Sequence, residues 1–92
     1  MNPKLAYINQ GRGGHVVYTD TISSIQFDFE FGGGDCVAII FVPSISSWEA
    51  GTRRPLSERD EILLFVARQS LHDQVSNGYY KIMDSCIELF KS

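Results

Sequence analysis

Apolar and polar residues alternate strictly along the segment Ile25–Phe31. Because successive side chains of a β-strand point to opposite faces, this alternation predicts a strand with one apolar and one polar face. The apolar face should line the core and carries Ile25, Phe27, Phe29 and Phe31. The polar face should meet either water or a basic partner and carries Gln26, Asp28 and Glu30.

Three short connections divide the chain before Pro43 into four strand-like segments. Gly11–Gly14 and Gly32–Asp35 are rich in glycine, which is typical of hairpin loops because glycine adopts positive φ freely. The third connection is Thr21–Ser24. The four segments should form an antiparallel meander and are Leu5–Gln10, His15–Asp20, Ile25–Phe31 and Cys36–Val42.

The fourth of these strands differs from the third because both of its faces are apolar. Such a pattern is typical of a central strand that is covered on two sides. We therefore expect something beyond one helix to cover the sheet at this strand.

A helical pattern follows a linker, Ser44–Pro55, that contains Trp48. Ser57 with Asp60 approximates a capping box, and Leu56 precedes it as a hydrophobic staple. We predict one long helix near residues 58–75, with Asn77-Gly78 as the stop. Its apolar arc, at 100° per residue, comprises Ile62, Leu63, Leu64, Val66, Ala67, Leu71 and Val75.

Two further strands, Tyr79–Met83 and Cys86–Phe90, complete the predicted elements. The order β-β-β-β-α-β-β predicts an α+β fold, with a mainly antiparallel sheet of about six strands covered by one long helix. Residues 1–92 should form a single domain. Phe65 falls outside the apolar arc, so either the Trp48 linker covers it or it anchors a partner.

Composition narrows the classes of function. The chain has 92 residues, a formal net charge of −3 and a pI near 5.2, which argue against binding to nucleic acid or an anionic membrane. The longest apolar run, Cys36–Pro43, is far shorter than the ~20 residues that span a bilayer. Without a leader-like N-terminus, Cys36 and Cys86 are expected to be free thiols in the cytoplasm.

No arrangement of reactive residues predicts an enzyme. His15 and Cys36 each begin an apolar strand and could meet only if those strands are neighbours. Histidine and cysteine, including His72 and Cys86, lack the short spacing typical of a zinc site. The glycine-rich loops do not match a phosphate-binding motif. We therefore expect no catalytic residue, no metal and no cofactor.

The distribution of charge is the most suggestive functional feature. No lysine or arginine lies between Arg12 and Arg53, although five acids do. Either these acids form an ordinary solvated face, or they form an acidic docking surface for a basic protein. Arg53, Arg54 and Arg59 are the only basic cluster, and nearby acids should pair with them locally. The candidate partner-binding residues are Asp20, Asp28, Glu30, Asp35, Trp48 and Phe65.

In its size, acidic charge, predicted α+β class and lack of catalytic residues, the chain resembles the small immunity proteins that protect bacteria from polymorphic or contact-dependent toxins. The features that carry this resemblance are the Ile25–Phe31 and Cys36–Pro43 hairpin, Trp48 and the Ser57–Val75 helix. The resemblance implies a bacterial, cytoplasmic protein that binds and neutralises a cognate toxin, frequently a basic nuclease.

Two alternatives stay open. One is a generic adaptor or oligomerisation subunit, in which case the protein could be a homo-oligomer. The other is a small-ligand-binding protein or enzyme that uses the glycine-rich loops with His15 and Cys36.

Overall fold

The computed structural model describes residues 3–92, whose six strands form one antiparallel sheet. The strands are β1 (Lys4–Gln10), β2 (Gly13–Thr19), β3 (Ser24–Phe31), β4 (Cys36–Phe41), β5 (Gly78–Ile82) and β6 (Cys86–Lys91). They are arranged in the order β1-β2-β3-β4-β6-β5, so β1 and β5 are the edges. A short helix, α1 (Trp48–Thr52), and a long one, α2 (Arg59–Gln74), separate β4 from β5. The predicted α+β fold is confirmed.

The strand pairing follows from the alternation in the sequence. Val16 lies opposite Phe27 in β3, and Ile40 lies opposite Phe29 and Ile87. These residues therefore share one face of the sheet, on which α2 packs. The helix contributes the buried residues Ile62, Leu63, Val66, Ala67 and Ser70. One continuous core forms between the sheet and this helix.

The first turn is tighter than the sequence suggested. Gln10 pairs with Gly13, so the connection is only Gly11-Arg12, and Gly11 has φ 63°. A glycine at the first central position is typical of a type II′ hairpin turn. Gly13 belongs to β2, and a Cβ there would collide with the carbonyl oxygen of Phe29. Close approach of two strands, rather than the turn, therefore requires glycine at this position.

Several predicted details at the ends of elements are wrong. Leu56–Glu58 forms a 3₁₀ turn and α2 begins at Arg59, so Ser57 provides no side-chain cap. The helix ends at Gln74, and Gly78 is the first residue of β5. Phe31 is 49% exposed although Phe29 is 7% exposed, because the packed core ends between these two residues.

Buried polar contacts hold the linker between β4 and α2 against the rest of the protein. The Trp48 side chain is completely buried, and its Nε1 donates to the carbonyl oxygen of Pro55. The guanidinium of Arg59 lies 5.9 Å from the Trp48 ring and donates to the carbonyl oxygens of Pro43 and Asp84. The linker is therefore part of the folded core.

The expectation that β4 is covered on both sides is wrong. β4 is central, since it is hydrogen-bonded to β3 and β6. However, α2 packs on only one face, and Phe41, which points away from it, is 43% exposed. Among residues 3–92, no helix is both long enough and apolar enough to cross a membrane.

A candidate protein-docking face

We call the sheet surface opposite α2 the open face. The strand register places even-numbered residues of β1, β3 and β6 and odd-numbered residues of β2, β4 and β5 on it. Its main residues are Ile8, His15, Val17, Asp28, Glu30, Ile39, Phe41, Tyr79, Lys81, Cys86, Glu88 and Phe90. The face therefore combines acidic and large apolar side chains.

Acidic residues lie on both sides of the central strand. Ile39 pairs with Glu30 of β3 and with Glu88 of β6. At ~4.8 Å between neighbouring strands, the backbones of the two glutamates are about 10 Å apart. Glu30 is exposed, and no hydrogen bond or ion pair of its side chain occurs among residues 3–92. Its charge is therefore available to a partner.

Asp28 is exposed on the same face of β3, and it contacts a histidine. Its Oδ1 lies 2.8 Å from Nδ1 of His15, which is directly opposite on β2. The Asp28 side chain is 71% exposed and that of His15 is 27% exposed. The nearest residues on the open face, Ile8 and Val17, carry no nucleophile, so this pair lacks the third group that a catalytic triad needs.

The apolar part of the open face lies on β4, β5 and β6. Tyr79 and Phe90 stack with ring centroids 4.9 Å apart, and Nζ of Lys81 lies 5.3 Å from the Phe90 centroid. Phe41 pairs with Cys86 across β4 and β6. Aromatic residues are enriched at protein interfaces, where a polar rim usually surrounds them.

Both cysteines are free and half-buried on this side of the sheet. Burial raises the pKa of Cys36 and that of Cys86, and the charge of Glu88 raises both further. These thiols are therefore poor nucleophiles at neutral pH. The fold does not bring His15 and Cys36 together, because β3 separates their strands. From the strand register, their backbones are about 10 Å apart across the sheet and about 17 Å apart along the strands.

Asp20 was expected on the docking surface, but its side chain is only 14% exposed. Arg54 donates to both of its carboxylate oxygens, at 3.1 and 2.9 Å, and the amides of Ile22 and Ser23 donate to Oδ1. The Arg54 guanidinium and these amides hold the pKa of Asp20 well below its usual range. Asp20 thus joins the β2–β3 turn to the linker and offers no free charge.

Trp48 and Phe65 also pack against other residues of the protein. Trp48 has none of its surface exposed, so it offers no contact to a partner in this conformation. Phe65 is half-buried and packs edge-to-face on Tyr18, with ring centroids 5.8 Å apart. Phe65 is therefore covered in part by Tyr18 of β2.

The remaining candidate, Asp35, is exposed in the β3–β4 turn at the end of the sheet. The structure therefore brings Asp28 and Glu30 together and leaves Asp35 near one end of β3. Sequence reasoning missed Ile39, Phe41, Glu88 and Phe90 as parts of the same face. The signal for Ile39 and Phe41 was present, since β4 is apolar on both faces.

The basic cluster expected around Arg53 is not a surface patch. Arg54 and Arg59 are 4% and 6% exposed. Arg54 bridges Asp20 and Glu58, with its Nε 2.9 Å from Oε1 of Glu58. These arginines are used to attach the linker, which leaves few cations to balance the open face.

Cavities and metal-binding clusters do not suggest a buried ligand. The space between the end of α2 and the sheet, lined by Tyr7, Phe29 and Ser70 among others, measures about 30 Å³. That volume is on the order of one water molecule. Within residues 3–92, no three histidine, cysteine or acidic side chains are grouped so as to hold a metal ion.

Comparison with known proteins gives no relative. No protein-family model, no curated protein and no solved structure matches the chain.

Proposed function

We propose that this protein is a non-enzymatic binding domain whose open face docks a basic protein, and that this partner is a bacterial toxin domain that the binding neutralises. The single observation that carries the proposal is the composition of the open face. Large apolar side chains on β4, β5 and β6 lie beside Asp28, Glu30 and Glu88, and α2 covers only the other face.

The apolar side chains support burial against a partner. Phe41 and Tyr79 are 43% and 47% exposed, although both lie in regular strands of a folded sheet. A partner that covers them removes apolar area from water, which is worth about 25 cal/mol per Å² before the costs of association. Aromatic residues are also the side chains most often found at binding hot spots.

The acids support the choice of a basic partner. Asp28 and Glu30 project from the same face of β3, and Glu88 lies two strands away. Lys81, opposite Glu88, and Lys4, at a corner of the sheet, are the cations of this face among residues 3–92. Complementary charge accelerates encounter and rejects partners of like charge. A nuclease toxin, which is basic because it binds nucleic acid, has the matching charge.

Capture from the native host tests this function directly. The immobilised protein is compared with the Asp28→Lys/Glu30→Lys variant and with Asp60→Lys/Glu61→Lys, a control with the same change of charge in the exposed first turn of α2. We expect the wild type and the control to retain one basic protein that the Asp28→Lys/Glu30→Lys variant loses. Retention of the same protein by all three would contradict docking on the open face.

Growth of bacteria tests the neutralisation. The captured protein, or its C-terminal domain, is expressed in a bacterial host with and without the wild-type chain. We expect growth arrest that co-expression of the wild type relieves and that co-expression of the Asp28→Lys/Glu30→Lys variant does not. If the captured protein is not toxic, the chain is a protein-binding domain but not an immunity protein.

A further inference from the structure

The edge strand β1 presents an unpaired row of backbone hydrogen-bonding groups. β1 is hydrogen-bonded only to β2, over seven residues and without a bulge. The backbone amide of Phe31 in β3 donates to the carbonyl oxygen of Arg12. Because successive residues of a strand direct their backbone groups to opposite sides, Gly13 and every second residue after it bond to β1. The pairing rule of antiparallel strands then directs the amide and carbonyl groups of Leu5, Tyr7 and Asn9 outward.

β1 has few of the features that normally protect an edge strand. Proteins blunt such edges with proline, with charged side chains, with bulges or by making the strand short. The one charged residue of β1 is Lys4 at its first position; Leu5–Gln10 contains no charge and no proline, and Ile8 is 46% exposed. The opposite edge, β5, has five residues, carries Lys81 and is packed against α2.

The strand is also held in position before any partner arrives. The hydroxyl of Tyr7 donates to Oδ2 of Asp73 on α2 at 2.6 Å, and Leu5 packs against the core. A strand that is already ordered loses little conformational entropy on pairing. Beside the start of β1, a groove of about 330 Å³ lies between Pro3 and the flank of α2.

We propose that β1 pairs antiparallel with β1 of a second copy of this chain, about a twofold axis at Tyr7. In this register Leu5 faces Asn9 of the second copy and Tyr7 faces its equivalent, so all three outward-facing residues are used. Two hydrogen bonds for each such pair give about six in total. On the open face, Ala6 lies beside Ile8 of the second copy and covers it.

Charge is compatible with this register. Lys4 faces the uncharged Gln10 of the second copy, so the pairing opposes no like charges across the strands. The turn that carries Arg12 of the second copy comes next to Pro3, where Glu61 lines the groove. Two seven-residue strands bury less than the ~1,200 Å² of a standard stable interface, so we expect a weak dimer that dissociates on dilution.

This inference goes beyond the proposed function, because it concerns the edge of the sheet and not the open face. It makes the two open faces neighbours in one wider sheet, which would display two docking sites on the same side. Two linked sites raise apparent affinity for a partner that is itself dimeric.

Sedimentation equilibrium from low micromolar to near-millimolar concentration, with hydrogen exchange at both ends of that range, tests the pairing. Asn9→Pro removes a backbone amide that points away from β2. This variant should therefore be monomeric while it keeps every hydrogen bond between β1 and β2. Ile8→Lys, which keeps the backbone intact, should also be monomeric, and Phe41→Ser on the open face should still associate. The amides of Leu5, Tyr7 and Asn9 should gain protection only in the concentrated wild type. The proposal would be overturned if the wild type stayed monomeric at every concentration, or if Asn9→Pro and Ile8→Lys both still associated. Association that is lost only in Phe41→Ser would also overturn it.

Discussion

Replacing Phe29 by alanine, with Phe31→Ala as the matched comparison, tests where the core ends. Both residues lie on the same face of β3, but Phe29 is 7% exposed and Phe31 is 49% exposed. Emptying a buried aromatic site costs about 3–5 kcal/mol. Because half of the Phe31 side chain already meets water, its loss should cost ~1–2 kcal/mol.

The two rings also contact each other edge-to-face, with centroids 5.3 Å apart. Either single substitution removes this contact, which is worth about 0.5–1.5 kcal/mol, so the double variant should lose less than the sum of the two. Urea titration at constant temperature measures the free energies of unfolding. The melting temperature of Phe29→Ala should fall by ~12 °C or more. Equal losses for the two single variants would refute the assignment of the core boundary.

Two further predictions concern the linker and the thiols. Arg54 holds the pKa of Asp20 below its usual range, so the ionised Asp20 stabilises the folded protein above about pH 4, and this stabilisation is lost as the pH falls below that value. Acid should therefore lower the free energy of unfolding more in the wild type than in Arg54→Met. Equal slopes of unfolding free energy against pH for the two proteins would contradict this. Because the pKa of each thiol is raised, Cys36 and Cys86 should react with iodoacetamide at neutral pH more slowly in the folded than in the urea-unfolded protein. The Cys36→Ala/Cys86→Ala variant should still bind the partner. Failure of this folded variant to capture the partner would contradict the expectation.

The strands could be predicted from the sequence because the patterns that define them are local. Alternation in Ile25–Phe31 defines which side chains share a face, and the glycine-rich turns mark where strands end. Each predicted strand overlaps an observed one, and the predicted helix near residues 58–75 differs from Arg59–Gln74 by one residue at each end.

The linker could not be predicted because its contacts are not local. The bond from Arg54 to Asp20 spans 34 residues, and neither side chain carries a pattern that indicates the other. Trp48 is buried beside Arg59, whose guanidinium also bonds to the carbonyl oxygen of Asp84, 25 residues further along the chain. Trp48 was a partner-binding candidate as the single tryptophan of the linker, and no pattern in the sequence indicates that it is buried inside the protein.

The composition of the open face was predicted in part. Asp28 and Glu30 follow directly from alternation on β3, because no tertiary contact is needed to place them on one face. Glu88 and Phe90 join them only through the strand order, in which β6 lies beside β4. That order depends on the long connection between β4 and β5, which sequence periodicity does not describe.

The association rate with the captured partner, measured across a salt series, tests the docking account most directly. Wild type, Asp28→Lys/Glu30→Lys and the charge-matched control Asp60→Lys/Glu61→Lys are compared, after melting curves establish that each is folded. We expect the wild type and the control to associate rapidly at low salt and to slow as ionic strength approaches about 0.5 M, because charges are then screened beyond a few ångströms. The Asp28→Lys/Glu30→Lys variant should associate slowly throughout, since charges at an interface act mainly on encounter. Equal rates for all three proteins, with no dependence on salt, would contradict the account and would make Asp28 and Glu30 an ordinary solvated surface.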